Sequence, residues 1–93
     1  MSKKFTSGAT HAPITLNELI QAAQVLENEG KYQEATEMYR QWLTHSRDAH
    51  KHLAWFNYGW LLQKQNKVVE ASTAYEKLAD DYAHYLSNQA LSA

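Results

Sequence analysis

The sequence predicts an all-α protein of two tandem helix–turn–helix hairpins, about four helices followed by a C-terminal helix. Three observations predict it. Breakers are scarce: the 93 residues hold 3 Gly and 1 Pro, which favours long helices over a turn-rich β fold. Apolar residues recur at helical spacing. The sequence also matches itself when shifted by 36 residues. At that shift Leu19 meets Trp55, Leu26 meets Leu62, Glu34 meets Glu70, Ala35 meets Ala71 and Tyr39 meets Tyr75. Ala23 meets Gly59, both small, Gly30 meets Asn66, both turn formers, and Trp42 meets Leu78, both large. A helical hairpin used twice is the sequence sign of a solenoid.

Residues 1–12 read as a flexible polar tail, and the ordered domain spans 13–93. The first helix runs from Leu16 to Asn28. Thr15 and Glu18 have capping-box spacing, and Ile14 and Leu19 can form the hydrophobic staple. Leu16, Leu19, Ala22, Ala23 and Leu26 share one face. Gly30 sits where a left-handed C-terminal residue is wanted. The second helix, Tyr32 to His45, carries Tyr32, Ala35, Met38, Tyr39, Trp42 and Leu43. The third starts near Asp48, as its cap, and runs to Gln65, with Asn66 making the turn. The fourth runs from Val68 to Asp80, where Asp80 and Asp81 end it and Lys77 offsets part of their unfavourable position at the dipole. A C-terminal helix starts at His84. The two units cover about 16–47 and 52–83, and 84–93 is a partial third unit or cap. Two registers are open for that third unit: Leu91 on Trp55, or Asn88 on Asn57 with Ala90 on Gly59.

Composition excludes several classes of function. Nine Lys+Arg balance ten Asp+Glu for a net charge of −1, and the basic residues are scattered, so no nucleic-acid stripe exists. With no cysteine, disulfide frameworks and Cys-based zinc sites drop out. No apolar run approaches the ~20 residues of a membrane span. The N-terminal sequence has no apolar leader, and a cytoplasmic setting is expected. There is no HExxH, P-loop, GxGxxG or nucleophile elbow. His45, His50 and His52 cluster, but His50 and His52 are two apart and diverge on a helix. They read as a polar loop between repeats. Glu34 and Glu37 read as an outer face, with Glu37 pairing to Arg40. No catalytic, cofactor-binding or metal-ligating residues are expected.

The third helix is unusual in being apolar on every side: Leu53, Ala54, Trp55, Phe56, Tyr58, Trp60, Leu61 and Leu62 surround it. A helix apolar all round is buried all round. One side packs on the first hairpin and another on the fourth helix, which leaves Phe56 and Trp60 in need of cover. A partner peptide, a second copy, or the C-terminal helix folding back from His84 would each supply it.

The repeat resembles the tetratricopeptide repeat. The first unit places that motif on Leu19, Ala22, Ala23, Leu26, Gly30, Tyr32, Ala35, Tyr39 and Trp42. The second places it on Trp55, Tyr58, Gly59, Leu62, Asn66, Val68, Ala71, Tyr75 and Leu78. Two departures stand out: Arg47 and Ala83 replace the Pro that closes each repeat, and the spacing is two residues longer than usual. The resemblance implies a short right-handed solenoid whose first and third helices line a concave, protein-binding face. Asn17, Ile20, Gln21 and Gln24 fall on it from the first helix. Leu53, Phe56, Asn57, Trp60, Gln63 and Lys64 fall on it from the third. It implies a protein or peptide partner, or a homo-oligomer, with no cofactor. The family's clamp for C-terminal carboxylates is missing, since Ile20 and Gln24 occupy its positions and only Asn57 agrees. Asn57 is left to bond a ligand backbone or a local helix carbonyl. A narrower resemblance, in the stretches YRQWLTHS, HLAWFNYGWLL and EASTAYEKL, is to the N-terminal repeats of bacterial SPINDLY-like relatives of O-linked N-acetylglucosamine transferases. It implies the alternative of a substrate-recruiting arm of a larger enzyme. Two and a fraction repeats need further contacts, so the chain either assembles or belongs to something longer.

Overall fold

The computed structural model describes residues 14–92, and side chains from 14 to 90. The expected tail and the side chain of Leu91 lie outside the described residues. Among the described residues four helices follow in order: α1 Leu16–Asn28, α2 Tyr32–His45, α3 Lys51–Lys64 and α4 Val68–Ser92. Contacts run between consecutive helices, α1 with α2, α2 with α3 and α3 with α4. The architecture is all-helical, as the sequence predicts, and fits a helical-hairpin repeat.

Local chemistry starts and stops the first three helices. Thr15 and Glu18 form the reciprocal capping box, Glu18 N donating to Thr15 Oγ1 at 3.1 Å and Thr15 N to Glu18 Oε1 at 2.9 Å. Each bond satisfies a backbone N–H that has no partner within the helix. Both hairpin turns are Schellman motifs. In the first, Lys31 N donates to Leu26 O and Gly30 N to Glu27 O; in the second, Lys67 N donates to Leu62 O and Asn66 N to Gln63 O. Gly30 has φ +77° and Asn66 φ +64°. Glycine adopts that left-handed region freely and Asn tolerates it. The 36-residue repeat is thus carried down to individual turn hydrogen bonds.

The core lies among α1, α2 and α3, built from Leu19, Ala23, Ala35, Tyr39, Trp42, Leu43, Ala54 and Leu61. Leu62, Ala71 and Ala74 form a smaller cluster between α3 and α4, with Trp55, Tyr58 and Tyr75 packed on it. Several polar groups inside pair across elements. Thr36 Oγ1 donates to Tyr32 O at 2.7 Å and accepts from Gln65 Nε2 at 2.7 Å. Trp42 Nε1 donates to Ile14 O at 2.5 Å, tying the start of α1 to the end of α2. Trp55 Nε1 donates to Asp81 Oδ2 at 2.6 Å, tying α3 to α4.

Three boundaries differ from expectation. First, α4 does not stop at Asp80; it runs unbroken through His84 to Ser92. The expected C-terminal helix is its continuation. No Gly or Pro occurs from Val68 onward, so nothing halts the helix. Second, Asp80 and Asp81 therefore lie mid-helix, and Asp81 serves as the acceptor for Trp55. Third, α3 begins at Lys51. Asp48 accepts from His50 N at 2.7 Å, closing a turn before the helix. That side-chain turn takes up the acceptor that would otherwise cap α3.

At Gly59 the Tyr75 ring of α4 lies directly against α3. A Cβ added there would lie 2.7 Å from Tyr75 Cε1 and 2.9 Å from its Cζ. Ala23, its counterpart in the first hairpin, is fully buried. Gly59→Ala gains about 1 kcal/mol of helix propensity and loses about 1–3 kcal/mol to overpacking. The expected net effect in urea unfolding is a loss on the order of 1 kcal/mol. In a Tyr75→Ala background the same substitution should instead stabilise, by about 1 kcal/mol. A stabilising effect in both backgrounds would contradict the close approach.

Candidate interaction face

Three sides of α3 have different fates. Ala54 and Leu61 enter the core beneath the first hairpin, and Leu62 and Gly59 face α4. The third side carries Leu53, Phe56 and Trp60, which are 47%, 54% and 44% exposed. Their spacing of three and four residues aligns them in one stripe. Gln63 and Lys64 continue it, both exposed.

Of the three expected covers, the internal one is not seen among the described residues. Because α4 continues straight, its C-terminal part does not fold back over Phe56 and Trp60. It packs instead beside the start of α3. Tyr82 and Tyr85 lie 5.1 and 5.0 Å from the His52 ring, and Tyr85 lies 5.0 Å from His50. His52 is therefore no loop residue: it sits in the first turn of α3, buried, with Nδ1 unpartnered among the described residues. The sequence signal for this was available in the Tyr82-Tyr85 spacing, but it needed the unbroken helix to be read.

The stripe has neighbours of its own. Lys64 Nζ lies 4.7 Å from the Trp60 ring centre and 5.4 Å from that of Tyr32, a cation–π arrangement. Phe56 and Tyr75 have ring centres 6.4 Å apart. Gln63 Oε1 accepts from Tyr75 Oη at 2.6 Å. Asn57 is half-buried, and its Nδ2 donates to Tyr39 Oη at 3.2 Å. It thus bonds across to α2.

On α1, Asn17 and Gln24 are exposed and Ile20 is half-buried. Glu27, one turn past Gln24, lies near enough to Lys64 to feel its charge. Its carboxyl is held above the usual range by burial, with Lys64 pulling the other way. The C-terminal ends of α1 and α3 therefore converge at Glu27 and Lys64. No hydrogen bond among the described residues links Asn17, Ile20 or Gln24 to the α3 stripe.

A concavity that sequence reasoning missed opens between α2 and α4. It encloses about 470 Å³ over the rings of Trp55 and Tyr58, with Arg40 and Leu43 on one wall and Val69 and Lys77 on the other. Arg40 is held by Glu37, its Nε bonded at 3.0 Å. Among the described residues, no group of three or more His, Cys, Asp or Glu is placed to hold a metal ion. None of the described helices is long and apolar enough to cross a membrane. Among known proteins, no family model, curated protein or solved structure matches the chain.

Buried Tyr39 and half-buried Tyr58 give the fold a pH signature. Burial pushes the Tyr39 hydroxyl above the ordinary tyrosine range, partly offset by the Asn57 hydrogen bond. Burial also raises Tyr58, which Arg40 lowers and Glu70 and Glu37 raise. The unfolded chain releases these protons first, near pH ~10. Stability is then complete below that pH and falls as pH rises through the folded values. Urea midpoints measured from neutral to strongly alkaline pH should show this fall. Tyr39→Phe and Tyr58→Phe should each make it shallower; an unchanged slope in both would contradict the burial argument.

Proposed function

We propose that this chain is a tetratricopeptide-like interaction module without catalytic activity, working in the cytoplasm, whose concave face between α1 and α3 binds another protein. One observation carries the reading: the Leu53–Phe56–Trp60 stripe. On a helix whose other two sides are buried, three large apolar side chains in a row remain about half exposed. Aromatic anchors of this kind dominate binding energy at protein interfaces. The cation over Trp60 and the glutamine beside it supply a polar rim at one end. The ligand class that fits is an extended or helical peptide with apolar side chains at helical spacing.

The test is selection of displayed peptides on the immobilised chain. Enriched peptides should bind Phe56→Ala and Trp60→Ala at least about tenfold more weakly than the wild type. Both variants should keep the wild-type unfolding midpoint, because neither side chain is buried. Peptides that bind the double variant as well as the wild type, or a library that yields none, would overturn the reading.

A further inference from the structure

The first hairpin shows what the second lacks. On α2 the residues Thr36, Tyr39 and Leu43 are buried. They are covered by α3: Gln65 bonds Thr36, Asn57 bonds Tyr39, and Leu43 shares the core with Ala54 and Leu61. Thirty-six residues later the same face of α4 presents Ser72, Tyr75 and Ala79. Ser72 and Ala79 are exposed and Tyr75 is only half-buried. The surface that takes a helix in the first hairpin is open in the second among the described residues.

That open face continues down α4. Ser72, Tyr75, Ala79, Tyr82, Leu86 and Gln89 are spaced three and four residues apart in strict alternation. This is the seam of a coiled coil. None of the six is charged, and no Asp, Glu, Lys or Arg occurs from Tyr82 onward. Tyr82 and Leu86 are 44% and 47% exposed. At 1.5 Å per residue α4 is about 37 Å long, against about 21 Å for α3. Its last turns therefore extend past the helix it packs on.

The seam is complementary to itself when run backwards. Ser72 then faces Gln89, Tyr75 faces Leu86 and Ala79 faces Tyr82, a smaller side chain opposite a larger one in each pair. The midpoint falls between Asp80 and Asp81. Asp81 points to Trp55 on α3, and Asp80 lies one residue off the seam, so the two-fold centre is not crowded by carboxylates. Glu76, the acid beside the seam, comes opposite the uncharged stretch that begins at Tyr82.

We infer that α4 pairs antiparallel with the α4 of a second copy of this chain, about a two-fold axis between Asp80 and Asp81. Such an isologous contact closes at two copies. It covers in trans the face that α3 covers in the first hairpin. The seam meets the α3 stripe at Tyr75, beside Phe56 and Gln63, but Trp60 is outside the seam and Ala79 outside the stripe, so substitutions at those two positions separate the two readings.

Sedimentation equilibrium of the 93-residue chain tests the pairing. The wild type should reach twice the monomer mass as concentration rises. Ala79→Glu and Tyr82→Lys should each weaken the dimer at least tenfold, and their equimolar mixture should restore it. Only the antiparallel register brings the new carboxylate and ammonium together. Trp60→Ala should remain dimeric. A wild type that stays monomeric throughout overturns the inference, as does a mixture that stays monomeric. A dimer lost in Trp60→Ala but kept in Ala79→Glu also overturns it, and leaves the concave face standing as the interaction surface.

Discussion

The close approach of α3 and α4 at Gly59 governs the second half of this molecule. Without a side chain at Gly59 the Tyr75 ring can lie against the α3 backbone. That contact aligns the two helices closely enough for Trp55 to reach Asp81 and for Tyr75 to reach Gln63. Once α4 lies along one side of α3 and the first hairpin along another, the third side is left over. The exposure of Leu53, Phe56 and Trp60 is a consequence of where α3 is held.

The repeat is faithful in its turns and unequal in its surroundings. Gly30 and Asn66 close the same hydrogen-bonded motif. Tyr39 and Tyr75 occupy the same position, but Tyr39 is 1% exposed and Tyr75 is half-buried. The difference is the following helix: α3 covers Tyr39, and among the described residues no helix lies over the same face of α4. A stacked repeat buries its core through its neighbours. Among the described residues no helix follows α4, so the matching face of α4 stays largely exposed along that uninterrupted helix.

Much of the fold was legible in the sequence because it is written in local chemistry. The capping box needs only Thr15 and Glu18, and the turns need only Gly30 and Asn66. The small positions Ala23, Ala35, Gly59 and Ala71 mark where helices cross. What was not legible depended on competition between local signals. Asp48 can cap a helix or close a turn, and it closes the turn. Asp80 and Asp81 are poor C-terminal residues for a helix dipole, yet Ala83 and the absence of any breaker carry the helix through them. The candidate face was half legible. The apolar excess of α3 pointed to Phe56 and Trp60, whereas Asn57 found a partner in Tyr39 that no local pattern announces. The seam on α4 was hidden by the break expected near Asp80, which splits its six residues between two helices.

The central claim is that Trp60 stands outside the core of a chain whose other two tryptophans are tied into it. Acrylamide quenching of single-tryptophan variants in dilute native protein measures this directly. With Trp42 and Trp55 replaced by Phe, Trp60 fluorescence should be quenched several-fold more efficiently (on the order of the contrast between exposed and buried indoles) than Trp42 when it alone is retained. A Trp60 as shielded as Trp42 in the folded dilute protein would place it in the core and contradict the account.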